Sequence, residues 1–169
     1  AFQTLAIYLN KESIGQLIGD ETARGIPPAP FIEARLQRRQ DLAQHLVSIA
    51  AITASAGADL AQMLSTTKEA YDARYRSGFS FSDLTANSVG LAMAQLSARD
   101  ESTARAMQER LANLASESDY MPEVGNNRDG LSESAFNAMY TDRSSPEYQQ
   151  RLAEIQALIY SKPLFAGLL

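Results

Sequence analysis

Between Phe31 and Ser77 the chain is rich in alanine and poor in glycine and proline, and its apolar residues recur at helical spacing. Leu42, Leu46, Ile49, Thr53, Ala56, Leu60, Met63, Thr67 and Ala70 follow one another at alternating steps of four and three, which keeps one face of a helix buried. The neighbouring line, Ala43, Val47, Ala50, Ala54, Gly57, Ala61 and Leu64, consists mostly of small side chains, which lets a second helix approach to roughly 8 Å. The spacing predicts a central helix over about 31–76, which at 1.5 Å per residue would reach roughly 65 Å if unbroken. Gly57 is the expected site of a bend, because glycine costs about 1 kcal/mol relative to alanine inside a helix.

The flanking segments read as further helices. Apolar positions from Phe2 to Ile18 fit one helical face, and Gly19-Asp20 stops it. The stretch 20–30 contains Pro27, Pro28 and Pro30 and predicts a semi-rigid connector. Ser77-Gly78 ends the central helix, with Ser82 or Asp83 expected to cap the next one, whose apolar set runs from Leu84 to Leu114 as two helices or one kinked helix. Turn formers fill the loop 119–131. Ser132 then starts a short helix, and Ser145-Pro146-Glu147 starts a final one that Pro163 stops, leaving the apolar tail Leu164 to Leu169 to dock. No useful segment alternates with period two. The fold class is therefore all-α: one elongated helical-bundle domain over 1–169, made of helix one (1–19), the connector (20–30), a long helical hairpin (31–118), the loop (119–131) and short C-terminal helices with the tail (132–169).

Composition removes several function classes. At 169 residues such a domain buries roughly two thirds of its unfolded surface, enough for a genuine core. A net charge of −5 argues against broad electrostatic binding to nucleic acid or anionic membrane. The absence of cysteine excludes disulfides, thiolate ligands and cysteine nucleophiles. Gln44, His45, Asp59 and Gln62 make the central stretch too polar for a membrane span. Ala1 fits a processed or trimmed start, and export is slightly favoured over the cytoplasm.

Candidate chemistry is sparse. His45, the one histidine, sits in the densest apolar part of the central helix and reads as a packed, hydrogen-bonded side chain; Leu42 stands where a Glu-x-x-His metal motif would need its glutamate. The loop Gly125 to Glu133 carries oxygen side chains around a glycine, but alignment on Gly130 puts Gly125 and Phe136 at the essential calcium-ligand positions, leaving a weak site through Asn127, Asp129 and Glu133 at most. Arg35, Arg38 and Arg39 read as a solvated face paired with Glu33 and Asp41. Glu12, at the end of an apolar helix, is the candidate acid of a glycan-cleaving enzyme.

The segment Tyr71 to Phe81 gathers four aromatics and two arginines, residue types enriched in binding hot spots. Tyr71, Arg74, Tyr75, Arg76, Phe79 and Phe81 are accordingly the candidate partner-binding residues. The expected function is that of a non-enzymatic structural or interaction protein of a secretion, conjugation or surface-assembly system. It would bind a protein partner or a second copy through this hairpin tip or its apolar tail, with no catalytic residue, metal, cofactor or nucleic acid. A periplasmic small-ligand or sensor bundle is the alternative, and the Glu12 glycan enzyme is a third.

Overall fold

The computed structural model describes every residue except Pro28, Arg76 and Leu169, together with all side chains but that of Tyr75 among the rest. Regular secondary structure among the described residues is helical, so the all-α class is observed. In chain order the elements are α1 (Phe2–Leu9), α2 (Gly15–Ile18), α3 (Asp20–Ala23), α4 (Gln40–Ala56), α5 (Ala58–Tyr75), α6 (Phe81–Arg99), α7 (Glu101–Ala112), a 3-10 turn (Glu117–Asp119), α8 (Glu133–Tyr140) and α9 (Pro146–Tyr160).

The crossing of α4 and α6 is the centre of the molecule. Leu42, Ala43, Leu46, Val47, Ile49 and Ala50 of α4 are buried, so the small-residue line does receive a second helix. Gly90 explains how closely α6 approaches. A Cβ at that position would stand 2.1 Å from the Leu46 carbonyl oxygen, a distance no side chain tolerates. Against the other side of α4 lies α1, whose connection is fixed by Asn10 Nδ2 donating to Ser48 Oγ at 3.0 Å and Gln44 Nε2 donating to the Leu9 carbonyl at 3.0 Å.

The central helical stretch begins later and is divided more sharply than its apolar pattern suggests. Residues 31–39 are not helical; Leu36 and Arg39 close a tight turn with Gln37 and Arg38 at positive φ. That turn is held from outside: Gln37 N–H donates to Glu117 Oε2, its Nε2 donates to the Pro122 carbonyl, and its Oε1 accepts from Val124 N–H. Three long-range bonds outweigh a helix propensity worth a few tenths of a kcal/mol per residue. At Gly57, φ reaches +92°, the helix stops, and the chain doubles back so that α5 packs beside α4, bringing Lys68 Nζ to 3.5 Å from His45 Nε2. Ala61, Ser65, Glu69 and Asp72 therefore form the inward face of α5, while Leu60, Met63, Thr67 and Ala70 of the expected stripe are exposed.

At the N-terminus, the expected first helix is two short ones, interrupted where Lys11 takes a φ of +58°. The set from Leu84 to Leu114 is two helices, divided at Asp100, whose carboxylate accepts from Thr103 N–H as an N-cap. Ser132 and Ser145 cap α8 and α9 as their sequence contexts predict, each accepting a backbone N–H three residues on. The apolar tail docks: Leu164 and Phe165 are fully buried, and Arg110 Nη1 donates to the carbonyls of Pro163, Leu164 and Ala166.

Candidate functional site

The aromatic candidates separate on structure. Phe79 and Phe81 are 1% and 2% exposed and belong to an aromatic cluster with Phe136, Tyr140 and Tyr148, at ring-centroid distances of 4.8–6.4 Å. They are core residues that anchor α8 and α9 to the start of α6, and neither ring reaches the surface. Tyr71 is exposed, and Arg74 is exposed in a forked ion pair with Glu133 at 2.8 Å. Arg76 and the Tyr75 side chain lie outside the described residues. The would-be calcium loop is also committed elsewhere. Asn127 Oδ1 accepts from Arg151, Glu133 pairs with Arg74, and Asp129 accepts from Arg39, Ser80 and Ser82. Glu12 is exposed in the turn after α1, on the edge of a groove of about 750 Å³ also lined by Ile7, Tyr8, Ile14, Ile26 and Phe31.

The reversal at Gly57 turns Ser65, Glu69 and Asp72 towards the α4–α6 crossing, where Asp83 and Asn87 stand one helical turn apart on α6 and His45 points in from α4. Polar side chains meet here in an otherwise apolar interior. His45 Nδ1 lies 3.1 Å from Asn87 Oδ1, and Asn87 Nδ2 donates to Ser65 Oγ at 2.8 Å, so with the amide in this orientation Nδ1 is the ring's donor. Its other nitrogen, Nε2, lies 3.3 Å from Asp83 Oδ2. The second Asp83 oxygen accepts from Arg39 Nη2 at 3.1 Å. Glu69, 1% exposed, accepts from Ser80 N–H at 3.1 Å through Oε2, and its Oε1 has no hydrogen-bond partner.

Glu69 thus has one oxygen bonded and one without a hydrogen bond, while His45 Nε2 and Asp83 Oδ2 face each other across the centre. One ligand atom from each of His45, Glu69 and Asp83 falls within 4.8 Å of the others, close enough for a single ion to touch all three. Among the described residues the other buried side-chain polar atom lacking a hydrogen bond is Ser82 Oγ, a hydroxyl free to rotate. A carboxylate oxygen has no such freedom to find a partner. Burial pushes the Glu69 carboxyl up to about 7, with the Asp83 charge adding to the rise, while the Ser80 N–H, Lys68 and His45 oppose it. For His45, burial disfavours the charged ring and Lys68 does the same, but the hydrogen bond and charge of Asp83, with the Asn87 oxygen, outweigh both and raise its pKa.

Of the three, His45 reaches a surface groove. A groove of about 500 Å³ has His45, Lys68 and Asn87 among its lining, with Asn10, Gln44 and Ser48 on one wall and Ile49, Ile52 and Leu64 as apolar contacts. Behind the centre, Arg39 binds Asp41, Asp83 and Asp129, and Asp129 Oδ1 accepts from Ser80 Oγ and Ser82 N–H. A pair of backbone bonds between Phe79 and Leu131 adds to this brace. The loop that the sequence offered as a cation site is instead the outer support of the His45–Glu69–Asp83 centre.

No signature spacing identifies that centre in the sequence, since its residues come from three helices. The available signal was local: Asp83 and Asn87, four residues apart, interrupt a face that also carries Ala86, Val89 and Gly90. Compared with family models, curated proteins and solved structures, the chain matches none.

Proposed function

We propose that this protein binds one divalent transition-metal ion at His45, Glu69 and Asp83 and presents it to a ligand entering the groove above. The observation that carries the reading is Glu69 Oε1, a buried carboxylate oxygen with no hydrogen-bond partner beside an imidazole nitrogen and a second carboxylate. Leaving such a group unsatisfied costs about 1–3 kcal/mol or more, and a bound cation removes that cost. One imidazole with two carboxylates, and no thiolate, suits Zn²⁺, Mn²⁺ or Fe²⁺ better than Cu⁺, and the nitrogen donor disfavours Ca²⁺.

The outer bonds fit this role. Asn87 on His45 Nδ1, Arg39 on Asp83 Oδ1 and Ser80 N–H on Glu69 Oε2 each orient a ligand through the atom it would not use for the metal. A three-residue set leaves coordination positions open, and an ion so held supplies a Lewis acid that polarises a bound oxygen or water. Calorimetric titration of chelator-treated protein with Zn²⁺ and Mn²⁺ tests the reading. One ion per chain is expected, with affinity reduced by roughly 100-fold or more in E69Q and by about 10–100-fold in N87A. A folded wild type that takes up neither ion at millimolar concentration would overturn it.

A second reading, an interaction role in a secretion, conjugation or surface-assembly system, is favoured by the exposed apolar side chains Leu60, Met63 and Leu64 on α5 and Leu5, Leu17 and Ile32 near the N-terminus. Burial of Phe79, Phe81, Leu164 and Phe165 moves its support from the tip and tail to these surfaces. If α5 carries it through a second copy, lysine at Leu60 and Met63 abolishes self-association in sedimentation analysis. A wild type that remains monomeric at high concentration rules out that form.

A further inference from the structure

Two of the three donor atoms already have a cation beside them. Lys68 Nζ stands 2.6 Å from Asp72 Oδ2, 3.5 Å from His45 Nε2 and 3.9 Å from Glu69 Oε1. Two of these are the atoms that the metal reading leaves for the ion. Lys68 extends from α5 on the groove side, its side chain is 48% exposed, and its four-carbon stem is flexible. Asp72, by contrast, is buried and fixed one helical turn away.

An ammonium and a divalent ion cannot occupy this space together. Charges of one sign at about 4 Å repel strongly even where the effective dielectric constant is near 20. We infer that cation binding at this centre is an exchange: the divalent ion enters as the Lys68 ammonium leaves His45 and Glu69 and swings into the groove. Lys68 is then the residue that sets the affinity of the centre. It supplies positive charge to the carboxylates while the ion is away and must be displaced when the ion arrives. This inference rests on the metal reading, and it goes further in assigning an internal competitor to that site.

Replacement of Lys68 alone leaves the buried Asp72 carboxylate without its ion partner, so the decisive variant is the double substitution K68M/D72N, which removes the pair and leaves the net charge unchanged. Zn²⁺ titration by calorimetry should show the double variant binding at least about tenfold more tightly than wild type, and K68R, which keeps the charge, within about threefold of wild type. In wild type, saturation with diamagnetic Zn²⁺ should shift the Lys68 Cε and Hε resonances assigned by comparison with K68M. Binding by the double variant where folded wild type shows none at millimolar concentration overturns the metal reading for the wild-type protein, and the exchange with it. Equal affinities in folded wild type and double variant, or Lys68 resonances unmoved at saturation, overturn the exchange while leaving the metal site standing. Failure of both proteins to bind any of Zn²⁺, Mn²⁺ or Fe²⁺ overturns the metal reading and the exchange with it.

Discussion

Replacing Glu69 by glutamine should stabilise the metal-free protein at alkaline pH and leave it nearly unchanged in acid. Glu69 has an ordinary carboxylate pKa of 4.5 when the chain is unfolded and about 7 in the fold, so the folded state holds its proton more tightly. The favourable contribution of that proton is complete below pH 4.5 and is lost as pH rises through 7. Each pKa unit corresponds to about 1.4 kcal/mol, so ionising Glu69 inside the fold costs about 3 kcal/mol by pH 8. Glutamine cannot ionise and keeps an oxygen able to accept from Ser80 N–H, the one hydrogen bond that Glu69 makes in the interior. The variant should therefore exceed wild type by about 3 kcal/mol at pH 8, equivalent to roughly 6–12 °C in melting temperature for a domain of this size. At pH 4.5 the two should nearly coincide. Urea denaturation in EDTA, followed by circular dichroism from pH 4.5 to 8.5, measures the difference directly. A gap that fails to grow with pH, or E69Q less stable than wild type at pH 8, refutes the argument that Glu69 is an unsatisfied buried acid.

Other perturbations probe the frame around the centre. G90A places a methyl group against the Leu46 carbonyl and should cost about 1–3 kcal/mol or more by urea denaturation; wild-type stability there would mean that α4 and α6 do not cross so closely. F79A removes a ring packed against Phe81, Phe136 and Tyr148 and should cost about 3–5 kcal/mol, a loss that a surface aromatic would not show. S80A removes the hydroxyl that accepts Asp83 N–H and donates to Asp129, so it should cost about 1 kcal/mol in stability and also weaken Zn²⁺ uptake in calorimetry; unchanged values of both would separate the α6 cap from the site.

How much of this was legible in the sequence depended on whether the deciding interaction was local. The starts of α8 and α9 are written in Ser132 and Ser145-Pro146, because a cap is made within four residues. The small line on α4 announced a close partner, and Gly90 on α6 supplies the other half of that contact. Residues 31–39 read as helix because their propensities are adequate, but the bonds that fold them otherwise reach from Gln37 to Glu117, Pro122 and Val124, far outside any sequence window. Gly57 was legible as a weak point. Its φ of +92° does more than bend the helix, since the chain doubles back there, with Ser65, Glu69 and Asp72 facing inward and Leu60 and Met63 of the expected stripe left outside.

The reversal at Gly57 connects the fold to the proposed function. By laying α5 back beside α4 it brings Glu69 and Lys68 next to His45, which a helix continuing straight would carry away from it at about 1.5 Å per residue. The face it turns inward desolvates one carboxylate outright and a second, Asp72, against a half-exposed lysine, a cost that packing of Leu60 and Met63 does not offset, since both are exposed. Arg39, Asp129, Ser80 and Asn87 then spend further polar groups on orienting Asp83, Glu69 and His45 rather than on covering the free Glu69 oxygen. Acids buried at the α4–α6 crossing, braced from behind and left with one oxygen unsatisfied, are the arrangement that the proposed cation site requires.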